Sequence, residues 1–114
     1  MKFSHEFGPN YLIISIEGLF ICDESLNRLK IFIQEQIENG TKKIIVDMEK
    51  MEFISSTVVG FLVKINTELN GILGRFVLCN VNKEAVLRTF EITRVDTIIK
   101  IFNSRQEAIN NISN

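Results

Sequence analysis

The sequence predicts an α/β domain: a mixed, mostly parallel β-sheet with an N-terminal hairpin and about four helices, ordered β-β-α-β-α-β-α-β-α. Three observations carry this. Tyr11–Glu17 alternates, with Leu12, Ile14 and Ile16 on one side and Tyr11, Ser15 and Glu17 on the other, the period of a strand. Two short apolar runs, Ile44–Met48 and Phe76–Val81, suit buried central strands. Helical spacing recurs between such runs, and strands alternating with helices imply parallel neighbours joined by right-handed crossovers.

The elements follow in order. Phe3, His5 and Phe7 alternate weakly, and the Gly8-Pro9-Asn10 cluster reads as a turn, so residues 2–7 and 11–17 form a hairpin with the first strand at an edge. Asp23 is placed to cap a helix carrying Leu26, Leu29, Ile33 and Ile37, stopped by Asn39-Gly40. After the strand at 44–48, residues 49–55 are expected to form a loop. Ser55 or Ser56 caps a second helix to about Leu69, ended by Asn70-Gly71 and Gly74. A short helix over residues 83–91 and a last strand over 98–102 follow. Ser104 to Glu107 spells a capping box opening a C-terminal helix with Ala108, Ile109 and Ile112.

Composition narrows the function. Lys plus Arg number 13 and Asp plus Glu 14, a net charge of −1, which lacks the basic footprint of a direct nucleic-acid binder. Hydrophobic residues make 46% and charged residues 24% of 114, a globular balance for one domain over residues 1–114. No apolar run reaches the ~18–20 residues of a membrane span, and residues 1–20 hold no secretory stretch. Cys22 and Cys79 are too far apart for a scaffold or metal knuckle and are expected to pack as small apolar residues. The expectation is a cytoplasmic protein, monomeric or weakly dimeric.

The second helix holds the unusual feature. At roughly 100° per residue, Val58, Leu62, Ile65 and Leu69 share one arc, the core face, flanked by Val59 and Phe61. Thr57, Gly60, Val63, Lys64 and Thr67 fall opposite, toward solvent. An interior helical glycine costs about 0.5–1 kcal/mol relative to alanine; it either packs against a neighbouring loop or admits a partner's backbone. Ser55-Ser56-Thr57 supplies three hydroxyls where a cap needs one. A phosphate there would meet free N–H groups and the positive helix end, and would add about −1.5 to −2 charges to a docking face.

The stretch IIVDMEKMEFISSTVVG, Ile44–Gly60, resembles the STAS domain of bacterial anti-sigma-factor antagonists, in which a strand ending in Asp-Leu leads to Phe-Ile-Asp-Ser-Ser-Gly-Leu-Gly at a helix start. Gly74–Val81, Val86–Phe102 and the Ser104–Ala108 tail resemble the family's later elements, so the likeness covers nearly the whole chain. It implies a regulator that binds an anti-sigma-factor Ser/Thr kinase, is released on phosphorylation, and is reset by a phosphatase, thereby governing sigma-factor-dependent transcription. By position, the phosphoacceptor falls on Thr57 with Ser56 preceding it. The partner-binding set is Ser55, Gly60, Val63, Lys64 and Thr67. Ser55 stands where the family usually has Asp, Val58 where it has its first Gly, and Asp23 is displaced from a Gly-x-x-Asp pattern beginning at Gly18. The other readings of the resemblance are a non-phosphorylated subunit docking on an ABC-transport ATPase, as in lipid trafficking, and a stress-signalling scaffold component.

No enzyme and no cofactor are expected. His5 has no companion ligand for a metal, and Gly71–Arg75 lacks a phosphate-loop ending. Asp47, Glu49 and Glu52 show no nucleophile–base arrangement and are expected to face solvent; Arg88 and Arg94 are expected to be helix-surface charges.

Overall fold

A computed structural model describes residues 1–113. The strands are β1 (Lys2–Phe7), β2 (Leu12–Phe20), β3 (Lys43–Asp47), β4 (Met51–Ile54), β5 (Arg75–Cys79) and β6 (Lys100–Phe102). The helices are α1 (Glu24–Glu38), α2 (Ser56–Gly71), α3 (Glu84–Thr93) and α4 (Arg105–Ile112). One sheet runs β1-β2-β3-β5-β6, with β4 added beside β2. Among the described residues only the β1–β2 pairing is antiparallel.

The caps stand where the sequence placed them. The Ser25 hydroxyl donates to Asp23, which also accepts from the Leu26 and Ser25 N–H groups, and these bonds, the hydroxyl's first, pull its carboxyl pKa below the usual 3.8. Its contribution to stability is therefore present above that pH and fades as pH falls through the lower folded value. Ser104 Oγ accepts from Glu107 N–H at 3.1 Å, while Glu107 reaches back to Asn103 N–H at 3.2 Å.

Two cores form. The larger joins Leu12, Ile14 and Ile16 of β2 to α1, α2 and α3. The smaller lies on the opposite face, where α4 covers Ile13, Ile45, Val77 and Cys79 with Ala108 and Ile112. Thus β2 is apolar on both faces at Leu12–Ile14 because both are covered there.

Four expectations need correction. Residues 51–54 form β4 rather than loop. Four residues with a buried-exposed-exposed-buried pattern carry no period, and the strand exists because β2 runs on past Glu17, across a shift at Gly18 (φ +93°), to offer Phe20 opposite Ile54. Asp47 does not face solvent: it is 5% exposed. Arg105 Nε donates to its Oδ2 at 3.0 Å, and Asn80 Nδ2 and Glu49 N–H donate to Oδ1 at 3.1 and 3.0 Å. Cys22 is exposed beside the α1 cap, whereas Cys79 is buried. Val63 is half-buried against the larger core, not on the open face of α2. Arg88 and Arg94 are exposed as expected, with Arg88 paired to Glu84 at 3.1 Å.

The glycines separate by their surroundings. A Cβ on Gly74 would collide with the Lys42 carbonyl oxygen and lie 3.0 Å from that of Leu69, whereas one on Gly60 meets nothing within 4 Å. Gly74→Ala is expected to destabilise by about 1–3 kcal/mol through backbone displacement. Gly60→Ala is expected to stabilise by about 0.5–1 kcal/mol through helix propensity; urea unfolding of both variants checks the opposite signs. Burial, reinforced by the Asp47 charge, pushes the Cys79 thiol up to about 12. At pH 8 the folded protein should therefore release one equivalent of thiol signal to an aromatic disulfide reagent, from Cys22, and two only after unfolding. Rapid modification of Cys79 in the native state would contradict its burial beneath α4.

Candidate functional site

The start of α2 is fixed from three directions. Ser55 N–H donates to the Phe20 carbonyl at 3.1 Å, continuing the β2–β4 ladder. Thr89 Oγ1 of α3 donates to the Ile54 carbonyl at 3.0 Å. Ser55 Oγ then accepts from Val58 N–H at 3.3 Å, making Ser55 the cap. One of the three hydroxyls is consumed structurally. Ser56 and Thr57 are both exposed, and among the described residues neither hydroxyl has a hydrogen-bond partner.

The two departures at the start of α2, Ser55 and Val58, are absorbed by the fold. Ser55 still caps without a carboxylate, and Val58 is 1% exposed, its branched side chain spent in the core. The first turn of α2 holds no acidic residue, so nothing there offsets the positive helix end.

Next to this terminus, α1 and α2 enclose a groove of about 500 Å³. Thr57, Gly60, Phe61 and Lys64 form one wall, and Cys22, Lys30, Ile31 and Gln34 belong to the other. Its lining is largely apolar, with the charges of Lys30, Lys64 and Glu68 among it. Ile31 is 59% exposed, and Lys30 Nζ lies 5.6 Å from the Phe61 ring centroid, close enough for a cation–π contact. Gly60 leaves the α2 wall low at its middle.

The structure thus brings Thr57, Gly60 and Lys64 together on one groove and leaves four other positions apart, Ser55 among them because it is spent as the cap. Ser56 is exposed outside its lining, and Thr67 is exposed farther along α2, with Oγ1 donating to the Val63 carbonyl at 3.0 Å. Val63 is half-buried against the larger core. The residues missed from sequence are those of α1. Ile31 carried a signal, being an apolar residue outside the Leu26–Leu29–Ile33–Ile37 stripe. Asn66, 8% exposed on α2, was also not anticipated as an interior residue.

The remaining chemistry is structural. Among the described residues, no group of three or more His, Cys, Asp or Glu side chains is placed to hold a metal ion. No described helix is long and apolar enough to cross a membrane. The carboxylate of Asp47 has its acceptors occupied, and Arg105 also donates to Ser15 Oγ at 3.0 Å.

Comparison with known proteins places this geometry. The chain is 25% identical over 108 residues to BtrV of Bordetella bronchiseptica, a candidate anti-sigma factor antagonist, covering 95% of this chain and 91% of that one. A crystal structure of a candidate antagonist from Thermotoga maritima superimposes with a TM-score of 0.88 at 24% identity, over 98% of this chain and 95% of the other. The anti-sigma factor antagonist SpoIIAA in its unphosphorylated form gives a TM-score of 0.82 at 23% identity, over 98% and 96% of the two chains. Its phosphorylated form, from Bacillus, gives 0.74 at 22% identity, over 97% and 99%. Residues 3–108 match the STAS domain description, and the chain belongs to the STAS domain family.

Proposed function

We propose that this protein is an anti-sigma-factor antagonist that captures an anti-sigma Ser/Thr kinase through the start of α2 and the α1–α2 groove. Phosphorylation of Thr57 releases the kinase, and a phosphatase restores the binding form. The observation that carries this reading is the unbonded, exposed Thr57 hydroxyl on the rim of a groove whose wall is lowered at Gly60. Thr57 is favoured over Ser56 because it alone of the two lines the groove.

The chemistry is a phosphoryl transfer to a passive acceptor. The Thr57 oxygen attacks the γ-phosphorus of the kinase's ATP, its bond to the β–γ bridging oxygen breaks, ADP leaves, and the hydroxyl proton passes to the kinase's base. This chain contributes position. The acceptor sits at the second residue of a capped helix, where the product phosphate gains from neighbouring N–H groups and the dipole. That stabilisation favours the modified state, while the roughly two added charges must be desolvated for any partner to remain seated on an apolar groove. Modification therefore weakens docking without unfolding the helix.

The family membership and the relatives' descriptions as anti-sigma factor antagonists support this reading. Incubation with the cognate kinase and ATP, followed by peptide mass spectrometry, is expected to place one phosphate on Thr57. Absence of label on Thr57 and Ser56, with tight co-purification of an ABC ATPase, would replace the switch by docking without phosphorylation. Gly60→Trp should raise the Kd for the kinase at least about tenfold by filling the groove, yet shift Tm little, since a Cβ there meets open space. A collapse of Tm would instead mark Gly60 as a packing position.

A further inference from the structure

Strand β1 is a six-residue edge with a free side of defined chemistry. Gly8 N–H donates to the Tyr11 carbonyl at 2.9 Å, which makes Gly8 and Tyr11 a hydrogen-bonded pair. Alternation along the antiparallel ladder gives the same role to Glu6↔Ile13, Ser4↔Ser15 and Lys2↔Glu17. The backbone N–H and C=O groups of Phe3, His5 and Phe7 therefore point away from β2. Among the described residues nothing pairs with them.

The side chains of this edge are self-complementary. Lys2, Ser4 and Glu6 are exposed and share one face of the sheet. Phe3, His5 and Phe7 share the other, where Phe3 and His5 pack on Phe32 of α1 with ring centroids 5.6 and 4.7 Å apart. When two such strands pair antiparallel about a dyad at Ser4, the outward groups of Phe3 meet those of the second copy's His5, and the reverse. In that register each Lys2 stands opposite a Glu6 at a non-hydrogen-bonded position, where side chains approach most closely. The aromatic row on the α1 side continues across the dyad. A shift by two residues would set His5 against His5 and break both charge pairs.

We propose that the partner of this edge is a second copy of the chain, joined β1 to β1 with Ser4 at the dyad, extending the sheet across both protomers. Glu6 now leans on Arg105 at 3.7 Å and is largely solvated, so it remains available to a cross-strand lysine. An interface built on one edge is small, which places the association in the weak, reversible class.

Sedimentation equilibrium of the whole chain up to about 1 mM should show reversible monomer–dimer exchange. Lys2→Glu alone and Glu6→Lys alone should each weaken self-association about tenfold or more, since both cross-strand pairs become repulsive. Mixing the two variants should restore a heterodimer, as each copy then meets its opposite charge. In a Cys22→Ser background, Ser4→Cys should form an intermolecular disulfide under mild oxidation, because residues paired across a non-hydrogen-bonded dyad lie within bridging distance. A wild-type chain monomeric throughout, a dimer indifferent to the charge changes, or a mixture that stays monomeric would each overturn the proposal.

Discussion

The buried carboxylate of Asp47 is the interaction on which the placement of α2 depends. A charge only 5% exposed is tolerated because its acceptors are met by Arg105, Asn80 and the Glu49 N–H. Those donors come from α4, from the end of β5 and from the turn toward β4, so one side chain fixes three pieces of backbone. Arg105 anchors the start of α4, which seals the smaller core over Cys79. The Glu49 contact sets the turn that delivers Met51 into register with Gly18. Once β4 is in place, Ser55 follows it as the α2 cap. The position of Thr57 is thus the end of a chain of constraints beginning at a residue that never touches it.

Much of this is legible in the sequence, and what is not has physical causes. Long periodic segments such as α1 and the first half of β2 declare themselves, because amphipathic burial writes its period into the sequence. The caps at Asp23, Ser55 and Ser104 were readable because few residue types satisfy orphan N–H groups. By contrast, β4 has no period of its own and is stabilised by a neighbour distant in sequence. The pairing of Asp47 with Arg105 spans 58 residues, and nothing local distinguishes it from a solvated carboxylate at a strand end.

The groove was half legible for a related reason. A wheel shows which side of α2 points from the sheet, but not which flank a neighbouring helix will cover. Thr57, Gly60 and Lys64 fell correctly on an open surface, while Val63, one step around, is drawn against the core. Only the packing of α1 beside α2 reveals that the open surface is a concavity with a second wall. Gly60 then reads differently: it departs from helix propensity without relieving any clash inside the protomer. Such a local departure from folding logic is the kind expected where binding, rather than stability, sets the residue.

Geometry also joins the edge strand to the groove. Antiparallel pairing with Ser4 at the dyad requires the two-fold axis to run perpendicular to the sheet, because paired residues point to the same face. The α1–α3 layers of the two copies then lie on one side and the α4 helices on the other, so each α1–α2 groove opens on the same side, with the first helix of each protomer nearest the dyad through Phe32. A partner that is itself two-fold could occupy both grooves together, the second contact forming at an effective concentration set by the rigid sheet rather than by bulk supply. On the proposed switch and the proposed dimer together, phosphorylating one Thr57 would remove avidity before it removed binding, giving a graded release. Weak pairing suits that arrangement: a dimer too loose to persist alone would be held by the partner it presents to, and would relax to monomers once both sites were modified.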